Sequence, residues 1–239
     1  MSDSLVAIEA VTKRYGDILA VDGVSLSLRG GEVYSLVGAN GAGKSTLLRM
    51  LVGIAEPDSG RVLICGEDLA NRSVAARRHL GYLPEELILY DRLTGLEYLE
   101  LVAGLKEADP SGISEEVDFF ELTRFQQKLV GGYSLGMRKK LGLAAAMLGK
   151  AEVVVLDEPL NGLDVEMMRK LRHRIEADKN NGRALLVASH VMSFVERISD
   201  RVGVMRAGKM VAEGSPAELR AIAGMNDAPF EDVFFHFAS

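Results

Sequence analysis

The 239-residue chain holds a single cysteine, Cys65, so no disulfide can form within it. That suits a reducing compartment and leaves the thiol the role of a small, buried apolar side chain. The chain also lacks any apolar run near the roughly 20 residues needed to cross a bilayer. Its start, Met1-Ser2-Asp3-Ser4, has neither the basic head nor the apolar core of a secretory leader. A cytosolic location is expected, with any membrane spanning left to another chain. Basic residues are not in excess: 28 Lys and Arg stand against 34 Asp and Glu, for a net charge of −6. That balance argues against a general nucleic-acid-binding surface. There is no internal repeat, no low-complexity tract and no sustained heptad pattern. What remains is ordinary globular composition, 48% hydrophobic and 26% charged, able to bury a sizeable core.

Against that background one segment stands out: Gly38-Ala39-Asn40-Gly41-Ala42-Gly43-Lys44-Ser45-Thr46. It fits the phosphate-loop pattern G-x-x-x-x-G-K-[ST]. Its glycines let the backbone close around an anion with N–H groups pointing inward. A helix is expected to start near Gly43, so that its positive end faces the same anion. Lys44 would reach the β- and γ-phosphates, and Ser45 would hold a bridging Mg²⁺. Residues 32–37 read as the buried strand that must precede the loop, and 46–52 as the helix that must follow.

Elsewhere the periodicity predicts short strands at 5–8, 24–28, 62–64 and 80–83. From about 86 to 149 it turns helical. One amphipathic helix carries Leu93, Leu96, Tyr98, Leu99 and Val102; a second covers 135–148, with a basic face at Arg138, Lys139 and Lys140. Residues 106–112 read as a loop. Strands return at 153–156, 184–187 and 201–205, alternating with helices near 165–178 and 192–198. That alternation predicts an α/β fold with a largely parallel sheet. The strand at 153–156 ends in Asp157-Glu158, which would lie beside the phosphate loop at the carboxyl edge of such a sheet. Asp157 suits Mg²⁺ coordination, and Glu158 suits orienting an attacking water. Four of the eight phenylalanines, Phe230, Phe234, Phe235 and Phe237, fall in the last ten residues. They suit either a tail packed on the domain or a partner contact.

The order of these segments resembles the ATP-binding subunit of an ABC transporter, over residues 4–220. Tyr15 stands where that family places an aromatic that stacks on adenine. Tyr133-Ser134-Leu135-Gly136-Met137 occupies the signature position, Leu160-Asn161-Gly162-Leu163-Asp164 resembles the D-loop, and His190 takes the place of the switch histidine. The resemblance implies ATP and Mg²⁺ as ligands. It assigns Glu158 and His190 to catalysis, and it places Ser134 and Gly136 over the γ-phosphate held by a second subunit, identical or different. It further implies a P-loop NTPase (RecA-like) core with a mostly parallel sheet, an N-terminal antiparallel β part and an inserted helical subdomain. In residue numbers, 1–85 and 150–220 would form the core of a single 1–239 domain, 86–149 the helical part and 221–239 a C-terminal tail. Two departures stand out. Glu85 replaces the usual glutamine at the start of the helical insert, beside the metal, and Tyr133, Leu135 and Met137 replace three signature residues. Both departures, with the segment 230–234, resemble the type-2 exporter branch, in which the ATPase chain serves a separate membrane-spanning permease at the inner face of the membrane. Tyr90, Leu93 and Leu96 are the expected docking surface, with core packing as the other reading. A soluble ABC ATPase of translation or DNA repair, or a phosphate-loop kinase or GTPase, are the competing readings.

Overall fold

The computed structural model describes residues 4–71 and 73–238, the side chain of Ser73 excepted. Residues 1–3, read above for a leader, lie outside them. The chain opens with two long strands, β1 (Ser4–Tyr15) and β2 (Ile18–Arg29), then β3 (Val33–Gly38) and α1 (Lys44–Leu51). Next come β4 (Ser59–Ile64), β5 (Glu67–Asp68), α2 (Ser73–Arg78) and β6 (Leu80–Leu83). The helical stretch contains α3 (Gly95–Lys106), α4 (Gly112–Phe119) and α5 (Leu135–Met147). The chain then alternates β7 (Val153–Asp157), α6 (Val165–Asn180), β8 (Ala184–Ala188), α7 (Met192–Ile198) and β9 (Arg201–Arg206). It closes with β10 (Lys209–Gly214), α8 (Pro216–Ala223) and α9 (Phe230–Ala238).

Two sheets result. An antiparallel sheet runs β2-β1-β4-β5, and a six-stranded sheet runs β10-β9-β3-β8-β7-β6. In the second, β9, β3, β8, β7 and β6 are parallel, and only the edge strand β10 is antiparallel. Both faces of this sheet are covered, which is why β7 and β8 are buried at every residue and read as unbroken apolar runs. Alternate side chains feed opposite cores. Val154, Leu156, Leu185 and Val187 face the helices α3 to α6. Val153, Val155, Leu186 and Ala188 face α1 and the antiparallel sheet.

The helices end where local chemistry tells them to. Thr94 caps α3 by accepting from Glu97 N at 3.2 Å, while Glu97 Oε2 accepts from Thr94 N at 2.7 Å. That box puts the start of α3 after Leu93. Ser215 and Glu218 form the same box at α8. The free carbonyls at the end of α5 receive the Lys106 ammonium, at 2.8 Å to Ala145 O and 3.2 Å to Ala146 O. Burial pulls that ammonium down to about 8. The C-terminal phenylalanines divide: Phe230 and Phe234 pack with Val233 against Met192, Val195 and Leu219, whereas Phe235 is exposed. Cys65, expected to be buried, is half-buried at the β4–β5 turn, where burial pushes its thiol up to about 11. It lies near His79 and Glu152. Since His79 Nδ1 is already 3.0 Å from Glu152 Oε2, these form a His–Glu pair beside a neutral thiol.

A buried ionic network ties the helical part to the core. Arg174 on α6 lies 2.5 Å from Glu116 on α4 and 3.2 Å from Asp178, which also receives Arg183 at 3.2 Å. Both acids are buried, and the Arg174 guanidinium also stacks over Phe119 at 5.2 Å. Arg174→Ala leaves the buried Glu116 without its ion-pair partner and Asp178 with Arg183 alone, so it should lower unfolding stability by about 3 kcal/mol. Urea denaturation of the nucleotide-free chain measures this; a midpoint equal to wild type would show the network carries no such weight.

Candidate active site

The phosphate-loop pattern sits at the carboxyl end of β3. Its backbone is shaped by two demands at once. Gly43 has φ 102°, and a Cβ there would collide with the carbonyl of Ala20. At Gly38 a Cβ would strike the carbonyl of Met205. Only glycine satisfies both conformation and space at Gly43. The loop closes through Ala42 N donating to Ala39 O at 3.0 Å, and α1 starts at Lys44 with no side-chain cap on its first turn. Its N–H groups are therefore available to an anion. The Lys44 ammonium lies back across the loop and donates to Gly38 O at 2.6 Å and Ala39 O at 3.2 Å. Burial lowers its pKa, with Glu158, Asp157 and Glu85 opposing that shift. Asn40, Gly41, Ala42, Gly43, Lys44, Ser45 and Thr46 line a cavity of about 670 Å³ together with Ile18–Ala20, Glu85, Asp157, Glu158 and Gly208.

The sheet explains this convergence. β3, β8, β7 and β6 are neighbours and parallel, so their carboxyl ends lie along one edge. Those ends lead in turn to the phosphate loop, His190, the Asp157-Glu158 pair and Glu85. Asp157 is buried, and its carboxyl is pushed up to about 6, mainly by burial and then by Glu85 and Glu158. Lys44 and Lys139 pull it back. Glu158 adopts φ 47°, in the left-handed region, held by its N–H donating to Ala188 O at 2.9 Å. For a residue with a Cβ that conformation costs about 1–3 kcal/mol, a cost typical of functional positions. Its Oε2 sits 2.8 Å from Nδ1 of the exposed His190, and the backbone N of His190 approaches the same oxygen at 3.4 Å. A nearly buried carboxylate that lines the cavity is thus held by an exposed histidine.

The sequence matches the ABC transporter family over residues 21–161. This chain belongs to that family. It is an ATP-binding chain of the family and an ATPase. Among its relatives, the Nod factor export ATP-binding protein I of Burkholderia orbicola is 35% identical over 92% of this chain and 73% of its own length. The daunorubicin resistance ATP-binding protein DrrA3 of Streptomyces coeruleorubidus is 34% identical over 94% and 72%. A solved ATP-binding subunit of an ABC transporter superposes with TM-score 0.94 at 27% identity, covering 99% of this chain and all of that one. A nucleotide-free ATP-binding cassette from an ABC transporter shares the fold, with TM-score 0.79 at 23% identity over 97% and 98%.

Five of the expected ABC site residues do not line this cavity: Gly38, His190, Tyr15, Ser134 and Gly136. Tyr15 is exposed at the end of β1, with Lys13 Nζ 5.6 Å from its ring centre; its strand partner Ile18 lines the cavity, but Tyr15 does not. Ser134 caps α5, accepting from Met137 N at 3.3 Å, and is exposed. A Cβ at Gly136 would press on the carbonyl of Gly162, so this turn abuts the loop after Glu158. Tyr133 is structural: it is buried, and its hydroxyl donates to Phe125 O at 2.8 Å. The basic face expected on α5 is not a solvated one. Arg138 pairs with Asp91 at 2.8 Å and Lys140 with Glu121 at 2.8 Å, while Lys139 is buried. Its alignment between two ordinary surface cations hid it from sequence reasoning.

The raised Asp157 carboxyl has a pH signature. A carboxylate whose folded value lies above its unfolded value near 3.8 penalises the folded state once it must ionise. The penalty is absent below the unfolded value and complete above about pH 6. Asp157→Asn should therefore stabilise the nucleotide-free chain by about 3 kcal/mol at pH 7.5, falling to about half of that at pH 5. Denaturation at the two pH values checks this; a gain that does not shrink on acidification would remove the titration as its cause.

Proposed function

We propose that this ABC chain is the ATP-driven subunit of an exporter, working as a head-to-tail dimer beneath a separate membrane-spanning permease. The observation that carries the catalytic part is the contact between Glu158, which lines the phosphate-loop cavity, and His190. Lys44 and the loop N–H groups would hold the β- and γ-phosphates. Ser45 and Asp157 would hold Mg²⁺, with Glu85 at its edge. The fit is supported by Asp157 itself, a carboxyl raised first by burial and then by two acidic neighbours, whose repulsion a divalent cation would relieve. Bound there, Mg²⁺ would neutralise charge on the transferring phosphoryl group. Glu158 then takes the proton of the attacking water, and His190 holds the Glu158 carboxylate in line and touches the γ-phosphate.

Ser134 and Gly136 do not line their own cavity, and they sit at an exposed helix start. That suits closure over the nucleotide of a second subunit. Tyr15, exposed on the hairpin whose other strand lines the cavity, suits stacking on adenine. Among the described residues no helix is long and apolar enough to cross a membrane. A groove of about 340 Å³ lined by Val52, Ile54, Tyr82, Tyr98 and Val102 offers the permease a seat, and α3, which supplies Tyr98 and Val102, also carries the exposed Leu101 and Leu105. Of the three residues expected to dock, Tyr90 is exposed, 6.4 Å from the Tyr98 ring, whereas Leu93 and Leu96 are half-buried and Leu96 packs on the core. Ile88, exposed, is the better neighbour for Tyr90. The export direction is supported by relatives named for Nod factor export and daunorubicin resistance.

Glu158→Gln should cut ATP turnover by about a hundredfold or more while leaving ATP binding intact. The same variant should elute as a dimer in ATP and as a monomer without it. Wild-type turnover in Glu158→Gln would remove Glu158 as the base, and an ATP-insensitive elution volume would remove the closing dimer.

A further inference from the structure

Lys139 is 3% exposed, and its ammonium makes no hydrogen bond with any described residue. An unpaired cation in a protein interior is costly, and packing alone would favour leucine or methionine at this place. Its two neighbours on α5 point outward to Asp91 and Glu121. The inward direction of Lys139 follows from how α5 crosses β6. Near the end of α5 the carbonyl of Ala146 presses on Gly81; one turn earlier Gly142 packs against Leu83 and Leu87. The helix therefore runs antiparallel to β6. One further turn back, Lys139 falls beyond the carboxyl end of that strand, behind Glu85 and beside the end of β7. The acids whose charge reaches it are Asp157, Glu158 and Glu85, the same three that act on Lys44. Lys44 approaches them from the solvent side of the loop, and Lys139 from within the protein.

We propose that Lys139 is a positioning residue for hydrolysis: a fixed buried charge behind the acid cluster that offsets Glu85 and sets how tightly the cluster holds a divalent cation. This rests on the nucleotide-site reading above. Lys139 touches neither nucleotide nor metal, since its ammonium is sealed from the cavity. Its effect is electrostatic, through three carboxylates. With it, the cluster carries two cations against three acids; without it, one against three. Glu85 and Lys139 are thereby a linked pair: the extra acid beside the metal is matched by an extra cation beneath it.

The test is Mn²⁺ binding to the full chain, followed by electron paramagnetic resonance in the presence of a non-hydrolysable ATP analogue. Lys139→Met should bind Mn²⁺ about tenfold tighter, because a repelling charge is gone. Glu85→Gln should bind it more weakly by a similar factor, and the double variant should return to within about twofold of wild type. Lys139→Met should also raise the melting temperature of the nucleotide-free chain, where a merely structural lysine would lower it. Lys139→Gln serves in its place if the methionine variant does not fold. Unchanged Mn²⁺ affinity in a folded Lys139 variant, or a double variant that stays about tenfold away from wild type, would overturn the proposal. If wild type itself failed to hold Mn²⁺ with the analogue, the nucleotide-site reading would fall first, which separates the two failures.

Discussion

The site depends on the register of three parallel strands. Leu36 on β3 lies level with Ala188 on β8, and Ala188 lies level with Asp157 on β7. One residue of slip would invert every side chain on a strand and carry the chemistry to the wrong layer. The apolar runs prevent slip because both faces are buried, each against a different core. Register then sets function without further instruction. Two residues past Leu36 the chain reaches Gly38 and the anion loop; two past Ala188 it reaches His190; one past Asp157 it reaches Glu158. The backbone bond from Glu158 N to Ala188 O locks the last two together and forces the left-handed conformation at Glu158.

That arrangement places unfavourable features in one small volume. Asp157 resists ionisation, Glu158 is strained, Lys44 is partly desolvated and Lys139 has no hydrogen-bond partner among the described residues. Each is tolerable because the surroundings are not. The buried Arg174 network, the capped helices and three apolar clusters supply the stability that this edge of the sheet gives up. A bound MgATP would reverse several of these terms together: cation for the acids, anion for the lysine. Binding is then favourable partly because the empty site is not comfortable.

Much of this was legible in the sequence, for a physical reason. The phosphate loop, the acid pair and the histidine are each tied to a strand end, so local pattern and three-dimensional place coincide. The doubly covered strands announced themselves as unbroken apolar runs. What escaped was whatever depends on contacts between distant segments. Helix α4 is short, and its Glu116 is buried only because Arg174 reaches it, 58 residues away. The first helix of the insert begins later than its apolar stripe suggests: Leu93 fits the stripe, but the Thr94 cap starts the helix after it. In Arg138-Lys139-Lys140 three cations in a row look equivalent; a helix turns about 100° per residue, so only packing against β6 decides which one is buried.

Helix α5 joins these levels. Its first turn carries Ser134 and Gly136, and Gly136 packs on the Gly162 carbonyl in the loop that follows Glu158. Its second turn buries Lys139 beside the acids. Its last turn is closed by Lys106 from α3, the helix that rims the apolar groove. A displacement of α3 by a docked partner would therefore be felt at the end of α5, and through a rigid, well-packed helix at its start. The fit along that path is tight: a side chain at Gly81 would meet the Ala146 carbonyl of α5, and one at Gly142 would meet Leu83 and Leu87. Interior packing that tight transmits displacement rather than damping it, so the surfaces proposed to meet a permease and a second nucleotide are two ends of one element.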